Sequence, residues 1–200
     1  KYFKKKNFDV LSLFKKKKNN KRLKKINLLN KKNLKKIIKE FAPTTIFHFA
    51  AFGNHYKQKN KTLQNFKTTK NLVNVIKKEK ITLVFISTDK IYENYPEKNK
   101  ETYRSSPKSE YPLFKLKCEE IIKKNLKKHL ILRVPIIDKK NFNEKQYKHF
   151  SLMIIEEFVK KLKKNQKINV FKNIYRSFVY LEELTHFFEF TLKRNYKPGV

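Results

Sequence analysis

Apolar positions along the chain form two alternating patterns, short unbroken runs and helical spacing. Lys31–Phe41 predicts a helix, because its apolar residues recur at i, i+3, i+4 and i+7 after Asn30, which can cap the N-terminus. Thr82–Ile86 is an unbroken apolar run that predicts a buried strand. Further strands are predicted at Asp9–Phe14, Thr45–Phe49, Leu130–Val134, Ile168–Phe171 and Arg176–Tyr180, and helices at Lys61–Lys78, Tyr111–Asn125, Phe150–Asn165 and Glu182–Lys193. The alternation predicts an α/β fold with a doubly wound parallel sheet.

The charge of the chain is large and comes almost entirely from lysine. Lys and Arg together number 51 against 17 acidic residues, a net charge of +34. The arginines are Arg22, Arg104, Arg133, Arg176 and Arg194. Lys, Asn, Ile, Phe and Tyr are all abundant and share A/T-rich codons, whereas nucleic-acid-binding proteins favour Arg for base edges and phosphates. We interpret the charge as compositional drift on a solvated surface and expect no nucleic-acid partner; a basic nucleic-acid-binding groove is the alternative.

Composition and segment lengths exclude several classes of protein. Cys118 is the single cysteine, which excludes a disulfide scaffold and a cysteine-based zinc site. No histidine lies at metal-ligand spacing, so we expect no metal. Apolar runs such as residues 83–86 are far too short for a membrane helix, and no charged and apolar leader opens the chain. The sequence therefore predicts a cytoplasmic protein that does not interact with membranes.

Polar residues that follow the apolar strands are the candidates for chemistry, because ligands of open α/β sheets bind beyond the carboxyl ends of the strands. Such residues include Lys15, the segment 50–53, the segment 87–89 and Pro135. Tyr111 and Lys115 start the next helix at i, i+4 spacing and so share one face. A neighbouring ammonium is expected to lower the pKa of the phenol, which could then exchange a proton with a substrate oxygen that the Thr88 hydroxyl also holds.

Six segments together resemble the extended short-chain dehydrogenase/reductases that act on nucleotide sugars. These segments are Phe47–Ala51 (FHFAA), Asn65–Leu72 (NFKTTKNL), Ser87–Tyr92 (STDKIY), Tyr111 with Lys115 (YPLFK), Leu132–Pro135 (LRVP) and Arg176–Leu184 (RSFVYLEEL). Within the family, the Ser-Thr-Asp segment is most similar to the dTDP-4-dehydrorhamnose reductases. Phe114 and Pro112 depart from the usual pattern, which has Ser or Thr before the Lys and Gly after the Tyr.

The resemblance implies a Rossmann-like sheet, a cofactor and a set of site residues. The implied catalytic residues are Asn65, Thr88, Tyr111 and Lys115; the cofactor-binding residues are Lys15, Ala50, Ala51, Ser87, Tyr111, Lys115 and Pro135; the substrate-binding residues are Thr88, Asp89 and Arg176. The implied cofactor is NADP or NAD. Phe14 stands where NAD-preferring relatives carry an acidic residue, and the following lysines would favour the extra phosphate of NADP.

The family opens with a strand and a Gly-rich turn that binds pyrophosphate, whereas this sequence contains only Gly53 and Gly199. We therefore expect a fragment truncated at both ends, with residues 1–145 as an incomplete NAD(P)-binding domain and residues 146–200 as part of a substrate-binding subdomain. Alone, these residues are expected to bind NAD(P) weakly. The implied function is reduction at C4 of a nucleotide-activated 4-keto sugar in surface polysaccharide biosynthesis, by a homodimer. Epimerase and dehydratase activities stay open, and the alternative is a non-catalytic binding or regulatory subunit of the same fold.

Overall fold

A computed structural model describes residues 2–14, 23–50, 61–92, 100–138, 158–169, 172, 177–193 and 199. The chain divides into two units, one of Lys1–Arg133 with Leu192–Val200 and the other of Val134–Thr191. In chain order the described elements are α1 (Tyr2–Lys5), β1 (Ser12–Phe14), β2 (Leu23–Lys25), α2 (Lys31–Phe41), β3 (Thr45–His48), α3 (Lys61–Ile76), β4 (Thr82–Thr88), a 3-10 turn (Asp89–Tyr92), α4 (Glu110–Asn125), β5 (His129–Val134), β6 (Ile136–Asp138), α5 (158–163), β7 (Phe178–Tyr180) and α6 (Leu181–Lys193).

The largest sheet has the order β3-β4-β5, with β4 in the middle. β3 and β4 are parallel, with Thr45 opposite Thr82 and His48 opposite Phe85. β1 and β2 form a second parallel pair in the same unit. In the other unit β6 and β7 are parallel, with Ile136 opposite Phe178. The predicted parallel α/β architecture, with Thr82–Ile86 central, is therefore confirmed.

The core of the first unit lies where α2, α3 and α4 cover the sheet. β4 is buried from Leu83 onward, as its unbroken apolar run predicts. The buried apolar residues that form one cluster are Ile26, Leu34, Ile38, Leu72, Val73, Ile76, Ile81, Leu83, Phe85, Cys118, Ile122, Leu126 and Ile131. α3 packs against α4, and α4 packs against β4 and the 3-10 turn. The packing holds the first turns of α4 beside the carboxyl end of β4.

Several predicted elements differ from the observed ones. β2, whose three residues include two lysines, has no apolar pattern and was not predicted, and neither was β6. The predicted strand Ile168–Phe171 is wrong for residues 168–169, which lie outside any strand, and residues 170–171 lie outside the described residues. The predicted helix Phe150–Asn165 is helical at 158–163; its residues 150–157 are likewise outside the description. Within the described ranges, no helix combines the length and apolar composition needed to cross a bilayer.

Helix α2 begins and ends through local signals. The Asn30 side-chain oxygen accepts a hydrogen bond from the Asn33 amide at 3.0 Å, as the sequence predicts. The helix ends at Ala42, which is left-handed at φ 46° and donates its amide to the Ile38 carbonyl. Glycine usually occupies this position, because a Cβ is strained there. Pro43 follows and prevents continuation of the helix.

Ala42→Gly is expected to stabilise the protein by about 0.5–1 kcal/mol, because glycine adopts the left-handed conformation without strain. The net gain in the free energy of unfolding is the strain that is relieved, minus the cost of the larger conformational entropy of the unfolded chain with glycine. Urea unfolding of the two proteins measures the difference. The control is Lys35→Gly on the exposed face of the same helix, which should destabilise by about 1 kcal/mol. If both substitutions destabilise equally, the strain at Ala42 is not significant.

Candidate active site

The end of β4 presents a row of polar residues inside the first unit. Ser87 and Thr88 are buried, at 2% and 7% exposure, and Asp89 begins the 3-10 turn. The Thr88 hydroxyl donates to a carboxylate oxygen of Asp89 at 3.3 Å, and the Lys90 amide donates to the Thr88 hydroxyl oxygen at 3.3 Å. These bonds fix the direction of the Thr88 hydroxyl at the strand end.

Helix α4 brings Tyr111 and Lys115 to the same strand end. Pro112 lies in the first turn, where its missing N–H removes no helical hydrogen bond, so its departure from the family pattern leaves the helix intact. Lys115 is 3% exposed, and its Nζ donates to the Ile86 carbonyl at 2.5 Å. The same Nζ lies 4.6 Å from the Phe85 ring centroid and 5.9 Å from that of Tyr111. The i, i+4 pair is therefore anchored to the backbone of β4, two residues before Thr88.

The expected lowering of the Tyr111 pKa is wrong for this structure. Burial raises the pKa of Tyr111, and the carboxylate of Asp89 and the thiol of Cys118 raise it further. The Lys115 ammonium is directed at the Ile86 carbonyl and contributes no opposing effect. Burial also lowers the pKa of Lys115 to about 8, despite opposing effects of Cys118 and Glu119. Tyr111 is consequently a neutral phenol at physiological pH, and this protonation state suits a proton donor.

Lys115→Met is expected to stabilise the fold by about 2 kcal/mol at neutral pH. Lowering the lysine pKa from 10.5 to about 8 corresponds to roughly 3 kcal/mol, from which about 1 kcal/mol for the lost bond to the Ile86 carbonyl is subtracted. Above pH 8 the folded lysine is already neutral while the unfolded one still binds a proton. Wild-type stability therefore rises between pH 8 and about 10.5, and the advantage of the variant shrinks.

Urea unfolding at about pH 7 and pH 9.5 measures this difference. Lys117→Met, an exposed change on the same helix, serves as the control and should stay within about 0.5 kcal/mol of wild type at both values. A Lys115→Met variant less stable than wild type at neutral pH would show that the buried ammonium carries no such penalty.

Asn65 lies on α3, the helix that packs against α4. It is 3% exposed, and its backbone carbonyl accepts hydrogen bonds from the hydroxyls of Thr68 at 3.0 Å and Thr69 at 2.8 Å. Cys118 on α4 donates its thiol to the same carbonyl at 3.9 Å. Because the Thr69 hydroxyl hydrogen is used in that bond, the His48 Nε2, 3.0 Å from the Thr69 oxygen, must be the donor. His48 is buried at the end of β3, with 3% exposure.

Of the remaining predicted site residues, some lie within the described part of the chain and others lie outside it. Ala50 is exposed directly after β3, whereas Lys15, Ala51 and Arg176 lie outside the described residues. Pro135 separates β5 from β6 and belongs to the second unit. The structure thus brings Thr88, Asp89, Tyr111 and Lys115 to one strand end, next to Ser87, whereas Asn65 contacts Cys118 further along the same helix. The described ranges contain no group of three His, Cys, Asp or Glu side chains that could hold a metal ion.

Sequence reasoning missed Glu119 and Arg133, which form a buried ion pair between α4 and β5 at 2.7 Å. The available signal was spacing, because Glu119 follows Lys115 by one turn and lies on the same helix face. Glu119 is one of three acidic residues of the helix, with Glu110 and Glu120, and nothing in the sequence indicated which of them is buried. Its partner is far away in the sequence, and only the fold brings the two together.

The described residues can carry out proton exchange at a bound oxygen. Thr88 supplies a hydroxyl, Tyr111 a neutral phenol and Lys115 a buried amine beside one strand end, which fits the nicotinamide and ribose end of a dinucleotide. The sequence contains no Gly-rich turn for the pyrophosphate. The fit therefore extends to one half of such a cofactor.

The family model of the NAD dependent epimerase/dehydratase family matches residues 1–199. The chain belongs to this family. Its description agrees with the cofactor implied by the sequence motifs. Among curated protein sequences, none matches the chain.

Solved structures with the same fold include several nucleotide-sugar enzymes. Bordetella bronchiseptica WbmG in complex with NAD is 17% identical over 100% of this chain and 65% of its own, with a TM-score of 0.77. Bacillus anthracis dTDP-4-dehydrorhamnose reductase with NADP is 18% identical over 88% of this chain and 63% of its own, at 0.71. Methanobrevibacter ruminantium UDP-N-acetylglucosamine 4-epimerase, bound to UDP-N-acetylmuramic acid, is 22% identical over 90% and 61%, at 0.69.

At identities this low, the TM-scores show that the chain and these proteins share a fold. The chain spans 61–65% of the length of these three neighbours. The Rossmann-like expectation is confirmed by the likeness.

Proposed function

We propose that the whole protein is an NAD(P)-dependent oxidoreductase that reduces the C4 keto group of a nucleotide-activated sugar. The observation that carries the proposal is the neutral, half-buried phenol of Tyr111 at the strand end that holds the buried Thr88 hydroxyl and the buried Lys115 side chain. A phenol that stays protonated at physiological pH has a proton to donate to an oxygen that gains charge as a ketone is reduced, and the raised pKa of Tyr111 makes it a weaker acid than an ordinary tyrosine. Epimerase activity would use the same residues with the proton moving both ways, whereas dehydratase activity would need a further base and acid to remove a ring proton and expel a hydroxyl as water.

Each residue has a distinct role in the proposed reaction. Tyr111 donates its proton to the C4 oxygen, and Lys115 binds the nicotinamide ribose. Thr88 donates a hydrogen bond to the same C4 oxygen once its hydroxyl has turned away from the Asp89 carboxylate, which accepts its hydrogen in the structure. Asn65 holds α3 against α4 through its backbone carbonyl, which the Cys118 thiol contacts. When bound, the nicotinamide supplies the hydride. NADP is the favoured cofactor, with NAD as the alternative.

The remaining assignments belong to the same proposal. Lys15, Ala50, Ala51, Ser87 and Pro135 contribute to the cofactor site. Asp89 and Arg176 contact the substrate, with the guanidinium suited to a nucleotide phosphate. Residues 1–145 form part of the NAD(P)-binding domain and residues 146–200 part of the substrate-binding subdomain. We place this enzyme in the cytoplasm, as a homodimer in surface polysaccharide biosynthesis.

The proposal is tested with the complete gene product, NADPH or NADH and a nucleotide-linked 4-keto sugar. Stoichiometric oxidation of the cofactor with formation of a C4 alcohol is expected. Turnover of a C4 alcohol into its epimer without net cofactor consumption would identify an epimerase instead. A protein that binds the nucleotide sugar but turns over neither substrate is the non-catalytic subunit, which is the alternative function.

A further inference from the structure

Four buried side chains form a hydrogen-bonded set that we call the Glu119 network: Ser87, Tyr92, Glu119 and Arg133. Glu119 is 1% exposed on α4. The Ser87 hydroxyl at the end of β4 donates to one carboxylate oxygen at 2.5 Å. The Arg133 guanidinium on β5 donates to the other at 2.7 Å. A single carboxylate thus joins α4 to two adjacent strands.

The remaining face of the Arg133 guanidinium extends the network to the segment before α4. Its Nη1 donates to the Tyr92 hydroxyl and to the Glu101 carbonyl, the latter at 3.0 Å. The guanidinium also lies over the Tyr92 ring, 5.1 Å from the centroid. Arg133 therefore connects the 3-10 turn after Thr88 with the carboxylate on α4, through one rigid planar group.

Stability alone does not account for this arrangement. Removing two charges from water costs free energy that their attraction often fails to recover, so apolar side chains of similar size could hold the same elements together at least as well. Hydrogen bonds of fixed length and direction add geometric definition instead. The question is which geometry they define.

The network lies next to the proposed catalytic residues on both sides. Glu119 follows Lys115 by one helical turn and Tyr111 by two, so the three share one face of α4. Ser87 directly precedes Thr88. The bond between Ser87 and Glu119 therefore joins the two elements that carry the reacting groups, at a point beside those groups.

We propose that Glu119 is a positioning residue, which, supported by Arg133, sets the distance from Thr88 on β4 to Tyr111 and Lys115 on α4. The inference rests on the proposed function. It also gives the Ser87 hydroxyl a role in holding α4, because that hydroxyl is buried and donates to Glu119. A bound cofactor would then contact the backbone of Ser87 and not its hydroxyl.

The first test is Ser87→Ala in the complete gene product, which removes one hydroxyl and leaves the ion pair. Turnover should fall about 10–100-fold with KM changed less than threefold, because small misplacement of reacting groups costs rate of this order. Ser87→Thr, which keeps the hydroxyl, should restore most of the rate. The control is Glu120→Gln, an exposed change on the same helix, with unchanged kinetics. Unchanged kcat in Ser87→Ala would overturn the proposal.

A second variant separates positioning from stability. The triple change Ser87→Ala, Glu119→Leu and Arg133→Met replaces the polar set by apolar groups. We expect a melting temperature at or near the wild-type value and kcat still at least tenfold low. If the triple variant recovers wild-type kcat together with its stability, the network is only structural and the proposal is wrong. If the triple variant does not fold, the Ser87→Ala result decides.

A third measurement does not depend on turnover. Amide hydrogen exchange of residues 86–92 in Ser87→Ala should be about tenfold faster than in Glu120→Gln, because the strand end loses its hydrogen bond to Glu119. If the wild-type protein turns over no 4-keto sugar, the proposed function fails while this comparison still decides the positioning. Equal exchange in the two variants would overturn the inference, whatever the activity.

Discussion

Tyr111→Phe is expected to lower the turnover of the complete gene product about 10²–10⁴-fold, with much smaller change in substrate affinity. The substitution removes the proton that reaches the C4 oxygen and keeps the ring that packs near Lys115. Removal of an interaction that is made only in the transition state lowers kcat and kcat/KM together. The assay follows the change of oxidation state at C4 of nucleotide-linked 4-keto sugars.

The matched control is Tyr103→Phe, which removes a phenol from an exposed residue of the segment before α4 and should leave turnover unchanged. Both variants should unfold at similar denaturant concentrations. If Tyr111→Phe keeps near-wild-type turnover, Tyr111 is not the proton donor, and the non-catalytic subunit becomes the better hypothesis.

Acid should destabilise the protein through His48. Burial, with a smaller effect of the Lys115 ammonium, lowers the pKa of His48 from 6.5 to about 3. Below pH 6.5 the unfolded histidine binds a proton that the folded one refuses, so stability is fully present above pH 6.5 and falls as the pH approaches 3. The slope contributed is roughly 1.4 kcal/mol per pH unit, about 5 kcal/mol in total.

His48→Gln isolates this contribution. The glutamine Nε2 can still donate to the Thr69 hydroxyl but cannot titrate. Urea unfolding from about pH 7 to pH 4 should show a flatter decline than wild type, the difference being the His48 slope. The exposed residue His186, changed to Gln, provides the control and should leave the decline as in wild type. Parallel curves for wild type and His48→Gln would mean that His48 accepts its proton normally.

Local signals made much of the fold predictable. Helix α2 was predicted with its observed bounds, because the cap at Asn30 and the apolar spacing both lie within the segment. β4 was predicted from its apolar run, and its two further residues, Ser87 and Thr88, are polar and hence carried no strand signal. β2 and β6 depend on their neighbours: three residues such as Leu23–Lys25 become a strand only because β1 lies alongside.

The residues of the candidate site could be predicted from the sequence, but the directions of their pKa shifts could not. Thr88, Tyr111 and Lys115 follow from strand ends, spacing and family motifs. The raised pKa of Tyr111 depends on burial and on Asp89, and the low pKa of Lys115 depends on its enclosure beside Ile86 and Phe85. These are properties of packing between distant segments. Sequence spacing gave the wrong direction for the Tyr111 pKa for this reason.

Arg133 makes a set of hydrogen bonds that a lysine could not make, in a chain whose basic residues are nearly all lysine. Only five of the 51 basic residues of this chain are Arg, a bias toward lysine that we interpreted as compositional drift. A lysine at 133 has one nitrogen and could not at once bind both oxygens of Glu119, the Tyr92 hydroxyl and the Glu101 carbonyl. The rare arginines of this chain are therefore useful guides: each marks a position to inspect for a required planar fork of donors, where a point charge is insufficient.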